Sequence, residues 1–365
     1  MAKLALFGWL IILQLVILAT TYAATAPKVL FVSPSHPDDP FFKHVELYTK
    51  LAAENLGLEL DIIYGEGNRL LQLEQLTSYF SLQQPEYIAV QTYSGGAKAL
   101  MDFLAQYPAT NIITLERIIL PHESLQIGVP GEKYPNWFAE IYFDNAKASR
   151  TLTEALLNQC RDKAFQGQKG VVGLNGANGF EAEQRGAALK NVTETNFSYI
   201  FNQVVPSQWL RELATTQSQQ LLRRYPNTSV IWAASDWIAL GVLDMLKANQ
   251  LNSADFCIGG FDWLPEAIAK IDSGELVASV GGHYMMGAWS MVAIYDHWHG
   301  NLPINALKGK AAFELELITA KNVQDYQPLL TPAYWQQYDF RRFSFTANPQ
   351  QESYSFKLKQ VSTTN

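Results

Sequence analysis

Eleven short apolar runs recur along this chain, and most are followed by a segment with helical periodicity. The runs are continuous rather than alternating, which is typical of parallel strands covered on both faces. Phe41, Val45, Tyr48 and Ala52 illustrate the helical spacing of the intervening segments. This alternation predicts an α/β fold, and the number of units implies two doubly wound parallel sheets. The predicted strands are 29–32, 58–64, 87–90, 112–115, 141–143, 171–174, 199–205, 231–233, 256–259, 276–280 and 313–318.

A long stretch over 116–142, with three prolines, separates two groups of these units. Two adjacent glycines, Gly281 and Gly282, allow a second crossing, a helix is predicted over 283–298, and a third passage is expected near 302–312. We therefore predict two Rossmann-like lobes joined by a three-strand hinge. The predicted boundaries are 27–142 plus 283–311 for the N-terminal lobe, 143–282 plus 312–326 for the C-terminal lobe, and 327–365 for a tail that packs on the lobes.

The N-terminus has the pattern of a cleavable signal peptide over residues 1–26. Lys3 is followed by an apolar stretch over 4–18, and Ala24-Thr25-Ala26 forms an A-x-A site. A membrane anchor is the alternative, but the run is shorter than the roughly 20 residues that a span needs. We predict export to the periplasm, with cleavage near Ala23 to Ala26.

Charge and cysteine content restrict the partners and the stabilising bonds. The net charge of -7, without basic runs, argues against nucleic acid and anionic lipid partners. Cys160 and Cys257 are the only cysteines. They could pair in an oxidising compartment, but we expect two buried free thiols. We also expect a monomer.

Ligands of open α/β sheets bind beyond the carboxyl ends of the strands. Carboxylates, arginines, amides and aromatic rings at these ends suit a neutral polyol, because charged groups bind hydroxyls and rings cover C–H faces. The candidates are Asp39, Phe41 and Phe42 after the first strand, Gln91 after the third, Glu116 and Arg117 after the fourth, Asp144 at the first crossing, Arg185 after the sixth, Ser235 after the eighth, Asp262 after the ninth, and His283 after the second crossing.

Each candidate has a structural alternative. The two phenylalanines could be plain core, and Asp262 could serve only a tight turn. Asp144 and Asp236 each precede a helix, where capping is common. Arg185 lies one turn into a helix, where an exposed arginine is usual.

Signatures of catalysis, cofactors and metals are weak. The loop over 175–179 resembles a phosphate loop only in its glycines and lacks the G-K-[ST] ending. His297 and His299 are a poor metal pair on a helix, and the chain has no G-x-S-x-G motif. We predict no catalytic residue, cofactor or metal site, and a secreted α/β enzyme is the rival class.

Seven motifs along the mature chain resemble the type I periplasmic binding proteins of the ribose- and galactose-binding class, which share their fold with the effector domains of LacI repressors. The motifs are Pro40-Phe41-Phe42, Glu116-Arg117, Phe143-Asp144-Asn145, Glu183-Gln184-Arg185-Gly186, 234–241, Gly260-Phe261-Asp262 and 274–280.

The resemblance implies that Phe41 and Phe42 sandwich a sugar ring and that the charged candidates bind its hydroxyls, Glu116 and Arg117 from one lobe. Arg185 and Asp262 would do so from the other. Glu116 stands where ribose binders have aspartate. Ser235 replaces a common asparagine, and His283 or Gly282 replaces a glutamine. These changes imply a ligand other than ribose.

The segments 317–321 and 340–343 also resemble the branch that contains the autoinducer-2 receptor, which works through a sensor kinase. Asp262 would repel a borate anion, and the second arginine of that receptor is missing, so autoinducer-2 is disfavoured. The resemblance implies a periplasmic protein that delivers a sugar-like ligand to a membrane ABC permease, or signals its presence to a membrane sensor kinase or cyclase.

Overall fold

The computed structural model describes residues 26–116, 119–161 and 168–358. The predicted signal peptide, apart from its last residue, and the candidate ligand residue Arg117 lie outside these ranges. Within the described ranges, no helix combines the length and the apolar character needed to cross a bilayer.

The N-terminal sheet alternates strands with helices, as the apolar runs predict. Its elements are β1 (Lys28–Ser33), α1 (Pro40–Leu56), β2 (Glu59–Tyr64), α2 (Arg69–Leu82), β3 (Tyr87–Gln91), α3 (Ala97–Leu104), β4 (Asn111–Leu115), α4 (Pro121–Ile127) and β5 (Trp137–Ile141). The strands are all parallel, in the order β2-β1-β3-β4-β5.

The second sheet follows the same plan. Its elements are α5 (Asn145–Arg161), β6 (Lys169–Asn175), α6 (Phe180–Glu194), β7 (Tyr199–Pro206), α7 (Arg211–Arg224), β8 (Thr228–Ala233), α8 (Asp236–Ala248), β9 (Cys257–Phe261), α9 (Pro265–Asp272), β10 (Ala278–Gly281) and, after the chain has returned to the first lobe through α10 (Met286–Trp298), β11 (Glu316–Thr319). The order is β11-β10-β9-β8-β6-β7, with only β11 antiparallel to its neighbour.

Three passages of the described chain connect the two sheets. The first runs from β5 to α5, the second from β10 to α10, and the third from α10 to β11. The first and third lie side by side: the amide of Ala312 donates to the carbonyl of Tyr142 (2.8 Å), and that of Glu140 donates to Leu307 (2.9 Å). The exact lobe boundaries stay a prediction.

The prediction of the fifth strand is wrong by several residues. The sequence indicated 141–143, whereas β5 spans Trp137–Ile141 and pairs with β4. The buried Trp137 indole donates to Thr114 Oγ1 (3.1 Å) and to the carbonyl of Ala139 (3.0 Å). The stretch over 116–142 is therefore not a plain linker, since α4 and β5 both lie within it.

The expectation of two free thiols is also wrong. Cys160, near the end of α5, and Cys257, at the start of β9, form a disulfide with a Cα–Cα distance of 5.9 Å. Their separation of 97 residues hid this proximity, which arises because α5 packs across β9. Both cysteines are fully buried.

The C-terminal tail contributes to the core. The short helix α11 (Val323–Tyr326) directly precedes it, and its own short helix, α12 (Pro332–Gln336), packs on α1. Its aromatic side chains Trp335, Phe340, Phe343 and Phe356 are buried. The Phe356 ring stacks on Trp289 of α10, with centroids 4.8 Å apart.

Asp296 of α10 is fully buried and fastens this tail. One carboxylate oxygen accepts hydrogen bonds from the amide and the hydroxyl of Thr346 (2.8 and 2.7 Å). The other accepts from the Phe345 amide (2.8 Å) and the Tyr354 hydroxyl (2.7 Å). Since charged groups form the stronger hydrogen bonds, this residue is the main polar anchor of the tail.

Candidate functional site

The candidate site lies where the carboxyl ends of the two sets of strands face each other. Glu116 follows β4 of the first sheet, whereas Arg185 and Asp262 belong to the second. Their charges act on one another closely enough to shift the pKa of Glu116. The structure therefore brings together side chains from both sheets.

Phe41 and Phe42 are held at the start of α1 by Asp39. One oxygen of Asp39 accepts hydrogen bonds from the amides of both phenylalanines (2.9 Å each), and the other accepts from the Ser35 hydroxyl (2.8 Å). The two rings are half-buried and meet edge to face at 5.1 Å. Pro40 fixes the first turn of the helix. Asp39 thus positions the rings as the cap of α1.

Glu116 occupies a strained position at the end of β4. Its φ of 41° lies in the left-handed region, and its side chain is buried. The pKa of Glu116 is raised to about 7, chiefly by burial; Arg185 opposes the rise, the charges of Glu181 and Asp262 add to it, and the side chain of Gln91 also opposes it.

Arg185 is a buried, immobilised guanidinium, so the alternative of an exposed arginine is wrong. Only 3% of the residue is exposed. Its Nε donates to Asn145 Oδ1 (2.7 Å), and Nη1 donates to the carbonyl of Ala234 (2.8 Å). The guanidinium also lies 4.5 Å from the centroid of the Phe261 ring. All these partners belong to the second sheet or its helices, so that side of the site is preorganised.

Asp262 and His283 form a buried pair opposite Phe41. His283 Nε2 lies 3.2 Å from Asp262 Oδ1, and its ring contacts Phe41 and Phe143 with centroids 4.6 and 4.9 Å apart. Burial raises the pKa of Asp262 to about 8, while Arg185 opposes the rise. Burial, and then the charge of Arg185, lower the pKa of His283 well below its usual value, so its ring is neutral.

Two further candidates serve as helix caps. Ser235 is buried and its hydroxyl accepts from the Ile238 amide (3.2 Å) at the start of α8. Asp144 is exposed and accepts from the Lys147 amide (2.8 Å) in the first turn of α5. The expectation that Asp236 caps α8 is wrong, because its buried carboxylate accepts from Ser279 Oγ (2.8 Å) and the Leu264 amide (2.9 Å) instead.

Several residues around the site were not among the predicted ligand-binding residues. Asn145 orients Arg185, and Glu181 lies one turn before it on α6. Trp209 has a φ of 63°, and the Arg185 guanidinium lies 5.9 Å from its ring. A Cβ on Gly176 would lie 2.0 Å from the Trp209 ring. The glycine-rich loop over 175–179 is the sequence feature that could have indicated this contact, because Gly176 leaves space for the Trp209 ring.

Buried polar atoms without a partner concentrate at these strand ends. Among the described residues, eight side-chain N or O atoms are shielded from solvent and unpaired, and five of them lie at the carboxyl end of a strand or in the segment that follows it. Buried polar groups are normally hydrogen-bonded. These atoms are therefore available to hydrogen-bond a polar ligand. The five are Ser33 Oγ, Gln91 Oε1, Ser94 Oγ, Glu181 Oε2 and His283 Nδ1.

Comparisons with known proteins agree with this architecture. Residues 29–302 match the family model described as periplasmic binding protein domain. The ribose import binding protein of Haemophilus influenzae is 22% identical over 268 residues, which cover 72% of this chain and 82% of that protein. The D-allose-binding periplasmic protein of Escherichia coli is 29% identical over 100 residues, which cover 27% of this chain and 31% of that protein.

Solved structures share the fold. A periplasmic sugar-binding protein from Pseudomonas fluorescens superposes with a TM-score of 0.80 at 23% identity, covering 92% of this chain and 99% of that one. The Caulobacter myo-inositol binding protein gives 0.67 at 19% identity, covering 82% and 95%. These likenesses confirm the predicted fold class of two doubly wound parallel-sheet lobes.

Proposed function

We propose, given that this chain belongs to the periplasmic binding protein family, that it captures a sugar or sugar-like polyol between its lobes and delivers it to an ABC transporter. The observation that carries this proposal is that Phe41 of the first lobe contacts His283, which pairs with Asp262 of the second, beside the buried Glu116 and Arg185. Such a protein works in the periplasm, and the signal peptide predicted over residues 1–26 agrees with that location. We also propose that it binds its ligand as a monomer.

The chemistry of the site favours a hydroxylated ring. Phe41 and Phe42 offer aromatic faces to apolar C–H groups, while the buried carboxylates and the guanidinium bond to hydroxyls. The relatives and structural neighbours are named for ribose, allose and myo-inositol, which all carry several hydroxyl groups. We therefore place the ligand in this chemical class.

The ligand would favour the closed form of the protein, because it contacts both lobes in that form and only one lobe in the open form. The ligand first seats on Phe41 and Phe42 of the first lobe, and Arg185 and Asp262 of the second lobe reach it only when the hinge closes. The three passages between the sheets are the segments that would bend. An ABC permease in the membrane would then receive the closed, loaded form.

A panel of sugars and cyclic polyols tests the proposal on the mature protein. We expect at least one member to raise the thermal unfolding midpoint without being turned over, because a ligand that binds only the native state stabilises it. Scattering should show a smaller radius of gyration with that ligand. Turnover of a panel member would instead support the rival class, a secreted α/β enzyme.

Arg185→Ala is expected to weaken binding of that ligand by about 1.5–3 kcal/mol, as for the loss of one charge-assisted hydrogen bond. Titration calorimetry gives the difference directly. Lys190→Ala is the matched control, since Lys190 is an exposed cation on the same helix. If the Arg185→Ala and Lys190→Ala variants bind the ligand with equal affinity, Arg185 does not contact the ligand.

A further inference from the structure

The C-terminal tail crosses between the two lobes twice more, in addition to the three passages that connect the sheets. It leaves the second lobe at α11, which packs on α9 and β11, and reaches the first lobe at α12, which packs on α1. Leu358, the last described residue, returns to the second lobe: its amide donates to Glu316 Oε1 (2.9 Å) at the start of β11. The tail therefore runs from the second lobe to the first and back.

The attachment of the tail to the first lobe is extensive. Helix α10 packs on strands β3, β4 and β5, and it holds the tail through the hydrogen bonds of Asp296 and the stack of Phe356 on Trp289. Helix α1 adds a further bond, because the Phe340 amide donates to Asn55 Oδ1 (2.8 Å). Bonds to two helices of one lobe mean that the tail moves with that lobe.

The attachment to the second lobe is concentrated at Glu316. Its Oε1 atom accepts from the Leu358 amide (2.9 Å), and its Oε2 atom accepts from the Tyr326 hydroxyl (2.7 Å). The Leu358 side chain is buried against the second passage, since a Cβ on Gly282 would lie 3.2 Å from Leu358 Cδ1. Leu358 thus joins the end of the tail both to β11 and to a segment of the hinge.

The two attachments are separated by very little chain. Phe356 stacks on Trp289 of the first lobe, and Leu358, two residues later, is bonded to Glu316 of the second. The Cα atoms of residues two apart can separate by at most roughly 7 Å. A rotation of the lobes that moves Trp289 away from Glu316 must therefore break either the stack or the hydrogen bond, because the chain between them cannot lengthen.

We propose that residues 356–358 form a strap that limits how far the two lobes open. This inference takes the hinge motion of the proposed function as its premise, but it does not depend on which ligand is bound. The strap keeps the unliganded protein within a narrow range of lobe separations. A ligand that needs the closed form then binds more tightly, because less of the protein is in an open form that cannot hold it.

Two shortened chains that differ by one residue test the strap. A chain ended after Lys357 lacks Leu358, whereas a chain ended after Leu358 keeps every described residue and is the matched control. Spin labels on Asp38→Cys and Asn178→Cys report the separation of the lobes by double electron–electron resonance. Both positions are exposed and lie in loops that follow strands β1 and β6, at the strand ends that face each other across the crevice.

Without ligand, we expect the chain ended after Lys357 to give a broader distribution of distances, displaced to longer values by several ångströms. The chain ended after Leu358 should match the full-length protein. If loss of Leu358 prevents folding, as judged by circular dichroism, Leu358→Ala in the full-length chain takes its place, with Lys357→Ala, an exposed neighbour, as its control. Leu358→Ala removes only the side chain that covers Gly282 and should broaden the distribution in the same direction.

The outcomes separate the strap from the proposed function. Identical distributions in the two shortened chains, or in Leu358→Ala and Lys357→Ala, overturn the strap. If removal of Leu358 opens the lobes but no sugar or polyol of the panel shortens the distance in the full-length protein, the strap stands and the proposed function is wrong. A panel member that does bind should bind several-fold more weakly to the chain ended after Lys357 than to its control.

Discussion

Replacing Cys160 and Cys257 together by alanine is expected to lower the free energy of unfolding by about 4 kcal/mol. The disulfide closes a loop of 97 residues, and such a cross-link limits the conformational entropy of the unfolded chain. It also ties the end of α5 to β9 inside the second lobe, where both sulfur atoms are fully buried. Urea unfolding, followed by intrinsic fluorescence, measures the change as a lower midpoint.

Reductant provides the control for this prediction. In the presence of a thiol reductant, the urea unfolding midpoint of the wild-type protein should shift towards that of the double variant. The midpoint of the variant itself should not change. A double variant with the wild-type midpoint would contradict a stabilising role of the bond.

Asp296→Ala is expected to destabilise the protein by about 3–5 kcal/mol. The substitution removes one acceptor side chain and leaves donors of Phe345, Thr346 and Tyr354 without a partner. Unsatisfied buried donors cost about 1–3 kcal/mol each, and the loss of a whole buried network reaches the upper end of single-substitution effects. Thermal and urea unfolding measure the loss.

A structural readout separates detachment of the tail from general instability. Trypsin should release a fragment beginning after Arg341 or Arg342 from the Asp296→Ala variant faster than from wild type, because the anchoring bonds lie just beyond these arginines. Asp325→Ala, which removes an exposed carboxylate, is the matched control. Equal stability and equal cleavage in both variants would show that Asp296 does not hold the tail.

The fold class could be predicted because strands covered on both faces need apolar side chains at almost every position. The fifth strand shows where that signal fails. Glu140 is 1% exposed and interrupts the apolar pattern of β5. Its carboxylate accepts a hydrogen bond from the amide of Gly309, 169 residues away (2.9 Å). A charge whose partner is so distant in sequence cannot be identified as buried from local pattern.

The candidate site, too, could be predicted only in part from the sequence. Phe41, Glu116 and Asp262 could be predicted together, because ligands of open α/β sheets bind beyond the carboxyl ends of the strands. Glu181 was not singled out, since the burial of its side chain depends on how α6 packs against the rest of the chain. Trp209 was not singled out either, because its ring enters through a backbone with positive φ and a gap left by Gly176.

By itself, the sequence determined the alternation of strands and helices, the two-lobe plan and the strand ends at which a ligand site could form. These depend on side-chain type and spacing within a few residues. Only the tertiary structure decided that Cys160 pairs with Cys257, that Asp296 holds the tail and that Arg185 is buried against Asn145 and Phe261. These are contacts between segments far apart in the chain, and packing rather than local periodicity selects them.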